Sequence, residues 1–105
     1  MNQPMDSEPQ RILQTIHSIP EGSVATYGRI AKLAGLPGKA RYVGYILKTL
    51  PQESTIPWHR VLNAQGKLSF PENSEAYREQ KQRLLAEGVV FTDHRVSLRK
   101  FLWKA

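Results

Sequence analysis

TYGRIAKLAGLPGKARYVGYILKTL, residues 26–50, holds two short helical patterns on either side of one glycine-containing turn. Thr26 is a good N-cap for a helix from about Tyr27 to Ala34, with Ile30, Ala31 and Ala34 facing inward. Gly35-Leu36-Pro37-Gly38 breaks the pattern. A second helix is expected from about Lys39 to Leu50. Its Val43, Ile46, Leu47 and Leu50 follow the i, i+3, i+4, i+7 spacing of a core stripe. Arg41, Tyr45 and Lys48 fall on another face, with Tyr42 and Thr49 beside them. Two short helices with a tight turn between them form a helix-turn-helix. A basic, aromatic outer face on the second helix suits a DNA reader. An ordinary helical hairpin with a solvated polar side has the same pattern. Gly44 costs its helix about 1 kcal/mol relative to alanine, and close approach to another backbone is the usual reason.

Upstream, Ser7 can cap a helix that has Pro9 in its first turn and Gln10 at the capping-box position. Ile12, Leu13, Ile16 and Ile19 then make one apolar stripe, and Pro20-Glu21-Gly22 ends it. Downstream, Pro51 to Thr55 is a loop, Ile56 to Val61 reads IPWHRV, and Asn63 to Gly66 is a turn. Lys67 to Phe70 follows and could complete a small wing or hairpin. A helix from about Ser74 to Glu87 is expected to turn Tyr77, Lys81, Leu84 and Leu85 to one side, with Gly88 as its left-handed stop. Val89–Thr92 and Val96–Leu98 suit a hairpin around Asp93-His94. Leu98, Phe101, Leu102 and Trp103 are expected to fold the tail onto the core.

A chain of 105 residues is sized for one domain, 1–105. It has no cysteine, which excludes disulfides, thiolate metal sites and cysteine catalysis. His17, His59 and His94 lack metal-ligand spacing, so no metal and no cofactor is expected. No apolar run approaches the roughly 20 residues of a membrane span. Residues 1–10 are polar and lack the core of a secretory signal, which makes the cytoplasm the expected location, or the nucleoplasm in a cell with a nucleus. Fifteen basic residues against nine acidic give a net charge of +6. No acidic residue lies between Glu21 and Glu53, whereas Arg29, Lys32, Lys39, Arg41 and Lys48 do. Such a one-sign segment suits a phosphate backbone, although a solvated basic face would look the same.

Read in order, the chain presents Thr26-Tyr27-Gly28, Ala34-Gly35-x-Pro37, Ala40-Arg41-x-Val43-Gly44, Pro57-x-His59-Arg60-Val61 and Glu87-Gly88. Over roughly residues 9–90 this succession resembles the C-terminal DNA-binding domain of the O6-alkylguanine-DNA alkyltransferases. The resemblance implies a mainly α fold with short β elements, helix-turn-helix or winged-helix-like, with Ile56–Val61 as the active-site strand. In those enzymes the residue between Pro and His-Arg is the cysteine that accepts the alkyl group. Here it is Trp58. That substitution is the mark of the alkyltransferase-like branch, which finds the lesion without removing it.

The resemblance also implies residue roles. Arg41 matches an arginine finger that enters the duplex in place of an extruded nucleotide. Its long, planar, permanently charged side chain suits that work, although a surface arginine near a helix start would read alike. Tyr27 matches a tyrosine that helps rotate the 3′ phosphate and lines the pocket, or else packs the short helix. Trp58 would stack on the base or alkyl group, or else fill the core. His59 and Glu87 match the pair that activates the cysteine, and here are expected to persist as a supporting hydrogen-bond network. Arg60 is expected to brace the pocket through backbone carbonyls. Thr26, Lys39, Tyr42, Gly44, Tyr45 and Lys48 are the expected backbone and groove contacts. Tyr42 and Tyr45 are bulkier than the small residues many relatives carry, and Phe70-Pro71 stands where some carry a purine-sensing arginine.

The implied function is non-enzymatic recognition of O6-alkylguanine through the minor groove, with nucleotide flipping. The implied partners are double-stranded DNA containing that lesion and nucleotide excision repair proteins. The protein is expected to act as a monomer, in the nucleoid when bound to DNA. Two rivals stay open. One is a repair enzyme with non-cysteine chemistry, kept alive by His59 and Glu87. The other is a sequence-specific helix-turn-helix regulator, for which Arg41 is the main base-reading candidate.

Overall fold

The computed structural model describes residues 7–105. Residues 1–6, which belong to the expected single domain 1–105 and to the polar stretch 1–10, lie outside the described residues. Helix α1 spans Glu8–His17. The Ser7 hydroxyl accepts from the Gln10 N–H at 3.4 Å and donates to the Gln10 side chain at 3.2 Å. The cap is therefore made, but Gln10 returns to the Ser7 hydroxyl rather than to its N–H. Strand β1 is Ala25–Thr26, and α2 follows at once over Tyr27–Leu33. Thr26 caps α2 by accepting from the Arg29 N–H at 3.2 Å. Helix α3 is Ala40–Lys48, shorter by a residue or two at each end than the pattern implied, and Lys39 offers it no side-chain cap.

Strand β2, Val61–Leu62, pairs with β1 in parallel, Ala25 opposite Val61 and Thr26 opposite Leu62. This small ladder divides the core in two. Strand side chains alternate between faces. Ala25 and Val61 join the cluster of Ile12, Ile16, Ile30 and Val43 from α1–α3. Val24 and Leu62 join the second cluster, with Leu68, Tyr77, Leu84 and Val96.

Helix α4, Glu75–Ala86, is capped by Ser74, and Gly88 beyond it has φ +91°. Its buried face differs from the expected one. Tyr77, Gln80 and Leu84 are inside, while Leu85 is exposed. Gln80 is drawn in because its Nε2 donates to the carbonyls of His59 (3.1 Å) and Val61 (3.2 Å). A leucine there would have no donor for those buried acceptors, and a lysine would bring an uncompensated charge with it.

Strands β3 (Phe91–Thr92) and β4 (Arg95–Val96) form the expected antiparallel hairpin. Asp93 (φ 53°) and His94 (φ 64°) supply its two left-handed turn residues. A four-residue helix, α5, Leu98–Phe101, follows. The Trp103 N–H then donates to the Val24 carbonyl, and Val24 bridges Leu102 in parallel. Lys67–Phe70 forms no strand. The Asn63 N–H reaches the Lys67 carbonyl at 2.9 Å, and the Gly66 carbonyl accepts from the Val96 N–H at 2.8 Å. The turn therefore docks on the tail hairpin instead of building a wing. Gly66 (φ +78°) allows this, since a Cβ there would run into the Val96 carbonyl.

Candidate nucleic-acid interface

The outer face of α3 is open. Arg41, Tyr45 and Lys48 are exposed, with Tyr45 61% accessible. Val43 and Ile46 are buried, and Leu47 packs against the same cluster. Among the described residues, the Arg41 guanidinium has no hydrogen-bond or ion-pair partner. Tyr42 and Tyr45 stack at 6.4 Å between centroids with 10° between planes, so the two bulky rings occupy one face as a pair. Lys39 lies 3.8 Å from Glu8 and its ammonium sits 5.9 Å from the Tyr42 ring centroid. Both partners of that pair are largely exposed, so it holds the lysine weakly. Arg29, counted in the basic segment, instead donates to the Trp103 carbonyl at 3.0 Å and ties down the tail.

Trp58–Arg60 is one turn of 3-10 helix, not a strand, and extended backbone begins only at Val61. Pro57 lacks an N–H for a ladder. The Trp58 N–H donates to the Ile56 carbonyl at 2.7 Å and the Arg60 N–H to the Pro57 carbonyl at 3.1 Å. The turn aims its side chains in different directions. His59 and Arg60 point inward to Glu87 at the end of α4. His59 Nε2 is 2.7 Å from Glu87 Oε2, and Arg60 Nη2 donates to the same oxygen at 2.8 Å. Arg60 Nε donates to Glu87 Oε1 at 3.0 Å, and Arg60 Nη1 to the Ile19 carbonyl at 2.7 Å. The Gly22 N–H adds a bond to Glu87 Oε1 at 3.2 Å. Arg60 thus serves the carboxylate as well as the backbone carbonyl that sequence reasoning anticipated.

Burial alone would raise the Glu87 pKa. Hydrogen bonds from Arg60, His59 and the Gly22 N–H, with the charge of His59, overcome it and hold the carboxyl at about 2. For His59 burial wins over the pull of Glu87, and its pKa lies below the ordinary histidine value. A neutral ring that bonds a carboxylate must carry its proton on Nε2. Nδ1 is then a bare lone pair, buried and without a hydrogen-bond partner among the described residues.

Trp58 turns the other way, into a cleft of about 860 Å³ between α3 and α4. Tyr27, Gly44 and Lys48 line the α3 side, and Glu79, Gln80 and Arg83 the α4 side. The indole meets the Phe70 ring edge-on at 6.2 Å. The Arg83 guanidinium lies 5.4 Å from its centroid. The Tyr27 hydroxyl is 3.0 Å from the Ser69 hydroxyl at the mouth. A Cβ at Gly44 would sit 3.8 Å from the Tyr27 ring, an ordinary contact, so nothing among the described residues demands glycine there. Among the described residues, no three His, Cys, Asp or Glu side chains gather in a way that could hold a metal.

Tyr27, Gly44, Lys48 and Trp58 thus share one cleft, while Arg41, Tyr42 and Tyr45 stand outside it on the same helix-turn-helix. Lys39 and Thr26 lie at the starts of the two helices, and Thr26 is engaged in its cap. Sequence reasoning missed Glu79, Gln80 and Arg83. The Glu79–Arg83 spacing is the familiar helical pair, but nothing local says that it faces an indole.

Residues 8–89 match the family described as 6-O-methylguanine DNA methyltransferase, DNA binding domain. This chain belongs to that family. Its alkyltransferase-like character is seen in three comparisons. The chain is 48% identical over 93% of its length to a DNA base-flipping protein of Escherichia coli, spanning 75% of that protein. It is 37% identical over 95% of its length to alkyltransferase-like protein 1 of Schizosaccharomyces pombe, spanning 97% of it. The crystal structure of S. pombe Atl1 with damaged DNA containing O6-carboxymethylguanine superposes with a TM-score of 0.87 at 36% identity, over 98% of this chain and 100% of that one. The O6-methylguanine methyltransferase of Mycobacterium tuberculosis gives 0.66 at 31% identity, over 83% of this alkyltransferase-like chain but only 50% of the enzyme.

Proposed function

We propose that this protein recognises O6-alkylguanine in duplex DNA, extrudes the damaged nucleotide and holds it without removing the alkyl group. The observation that carries the reading is the cleft itself. It has an indole on its wall and a family member's His–Glu–Arg network behind it, in a chain with no cysteine. The damaged-DNA complex of Atl1, similar over nearly the whole chain, supports the same ligand. α3 approaches the minor groove, Arg41 fills the vacated stack, and Tyr27 guides the nucleotide toward Trp58. Lys39, Tyr42, Tyr45 and Lys48 meet the backbone and groove walls. O6-alkylation weakens base pairing and so lowers the extrusion cost of a few kcal/mol. His59 neutral beside an ionised Glu87 is a general-base arrangement, but with no thiol to activate it serves to hold the turn.

The reading extends to a monomer, located in the cytoplasm and on the nucleoid, that passes the marked site to nucleotide excision repair. Family resemblance alone supports that step. Among the described residues, no helix is long and apolar enough to cross a membrane.

The test compares affinities for one duplex sequence with guanine or O6-methylguanine at a single site, for the wild type and Trp58→Ala. The lesion is expected to bind tighter and to change Trp58 fluorescence, with Trp103 as the internal reference. Trp58→Ala should lose about 1–3 kcal/mol of lesion affinity, the usual worth of an aromatic stacked on a base, and little for plain DNA. Protein mass after incubation should be unchanged. Equal affinity for the two duplexes, or a gain of one methyl group, sinks the proposal.

A further inference from the structure

The α4 wall of the cleft carries a cation whose role the lesion-binding reading leaves open. Arg83 lies 5.4 Å from the Trp58 ring centroid and donates to Glu79 Oε2 at 2.7 Å. The two side chains are 47% and 54% exposed, so their bond is an open surface pair that exchanges readily. Among the described residues Glu79 is the only acidic one lining the cleft, and Lys48, its other cation, belongs to the opposite wall. Beside the indole there is therefore one guanidinium, already holding one carboxylate. A guanidinium presents paired N–H donors that match a carboxylate in two-point geometry. With its Cζ over the Trp58 ring, the guanidinium is already at the cleft wall when a new partner arrives.

Resting on the lesion-pocket reading, we propose that Arg83 sets this protein's preference among O6 substituents. A base that enters from the α3 side and lies against Trp58 points its far edge toward α4. A substituent ending in a carboxylate takes the guanidinium, and Glu79 is released to water. A methyl group has no such partner and gains only apolar contact. Arg83 therefore selects for anionic O6 adducts over neutral ones of similar size.

The experiment measures dissociation constants for three duplexes of one sequence, with guanine, O6-methylguanine or O6-carboxymethylguanine at one position. The proteins are wild type, Arg83→Ala, Arg83→Lys and Glu79→Gln. The ratio of carboxymethyl to methyl affinity is expected to fall roughly tenfold in Arg83→Ala, equivalent to about 1.4 kcal/mol. Arg83→Lys should recover part of it, since the charge remains without the planar fork. Glu79→Gln should raise the ratio, because the competing carboxylate is gone. An unchanged ratio in Arg83→Ala, with the preference for lesion over guanine intact, overturns this inference and leaves lesion recognition standing. Absence of any lesion preference in the wild type overturns both. Should Arg83→Ala fold poorly, Glu79→Gln still decides, and a ratio that does not rise counts against the proposal.

Discussion

Helix α3 and the Trp58–Arg60 turn both carry basic and aromatic side chains, yet they are held in opposite ways. On α3 the functional face is free. Among the described residues Arg41 has no hydrogen-bond or ion-pair partner, Tyr45 is mostly exposed, and the helix is fastened by Val43 and Ile46, with Leu47 and Tyr42 packed beside them. In the turn both inward side chains and the His59 carbonyl are bound to residues distant in sequence, to Glu87 at the end of α4, to Ile19 after α1 and to Gln80 within α4. The open face can be altered without touching the fold. The turn cannot, because its charges are largely buried and their partners come from α4 and from the segment after α1. A reader of DNA needs both: mobile charges to meet phosphates, and a rigid wall against which a base can be sorted.

The sharpest way to break that contrast is Glu87→Ala. It strands a largely buried guanidinium and removes the acceptor of His59. A loss of about 3–5 kcal/mol is expected, as for other buried pairs deprived of one member, measured by urea denaturation. A loss below about 1 kcal/mol, the worth of a surface pair, means the network does not fasten the turn.

Acid should act on the same network with a somewhat smaller effect. The folded pKa values of Glu87 and His59 both lie below their unfolded ones, so protonation favours the unfolded chain. The stabilisation is complete above the ordinary histidine value of 6.5 and begins to fall below it as His59 protonates in the unfolded chain. The larger loss comes between 4.5 and about 2, where Glu87 is titrated. At about 1.4 kcal/mol per pH unit this amounts to on the order of 3 kcal/mol. Denaturation midpoints from pH 7 to 3 should drop in the wild type and flatten in Glu87→Gln; parallel curves would contradict the assignment.

Arg41→Ala probes the other side of the comparison. Folding stability should stay within about 0.5 kcal/mol of wild type, as for other exposed substitutions. Lesion affinity should fall by about 1–3 kcal/mol, more than affinity for plain DNA, with a change of about one in the salt slope. An equal loss on both duplexes makes Arg41 a phosphate contact rather than a finger.

The smallest effect separates fold from function at a single position. Gly44→Ala adds a Cβ with room for it, 3.8 Å from the Tyr27 ring. The free protein should gain up to about 1 kcal/mol from helix propensity. DNA binding should weaken, because the open backbone faces the cleft where a nucleotide would pass. A stabilised variant that binds as well as wild type would show that the glycine serves neither end.

The amino-acid sequence alone determined the local architecture. Capping by Ser7 and Thr26, the stripe of α1, the two faces of α3 and the Asp93-His94 hairpin all follow from periodicity and residue type, because each is satisfied by neighbours within a few positions. It also determined what chemistry is missing, since a chain without cysteine has no thiol wherever it folds. Only the tertiary structure decided the rest. IPWHRV carries no period, and it becomes a 3-10 turn because Pro57 cannot join a ladder and Arg60 and His59 are pulled to a carboxylate 27 and 28 residues away. Lys67–Phe70 fails to become a wing because Gly66 docks on Val96. Gln80 displaces the expected leucine and lysine from the inner face of α4 because two buried carbonyls need its donors. The same long-range packing set Arg83 over Trp58, a contact between residues whose meeting depends on how α4 crosses the turn.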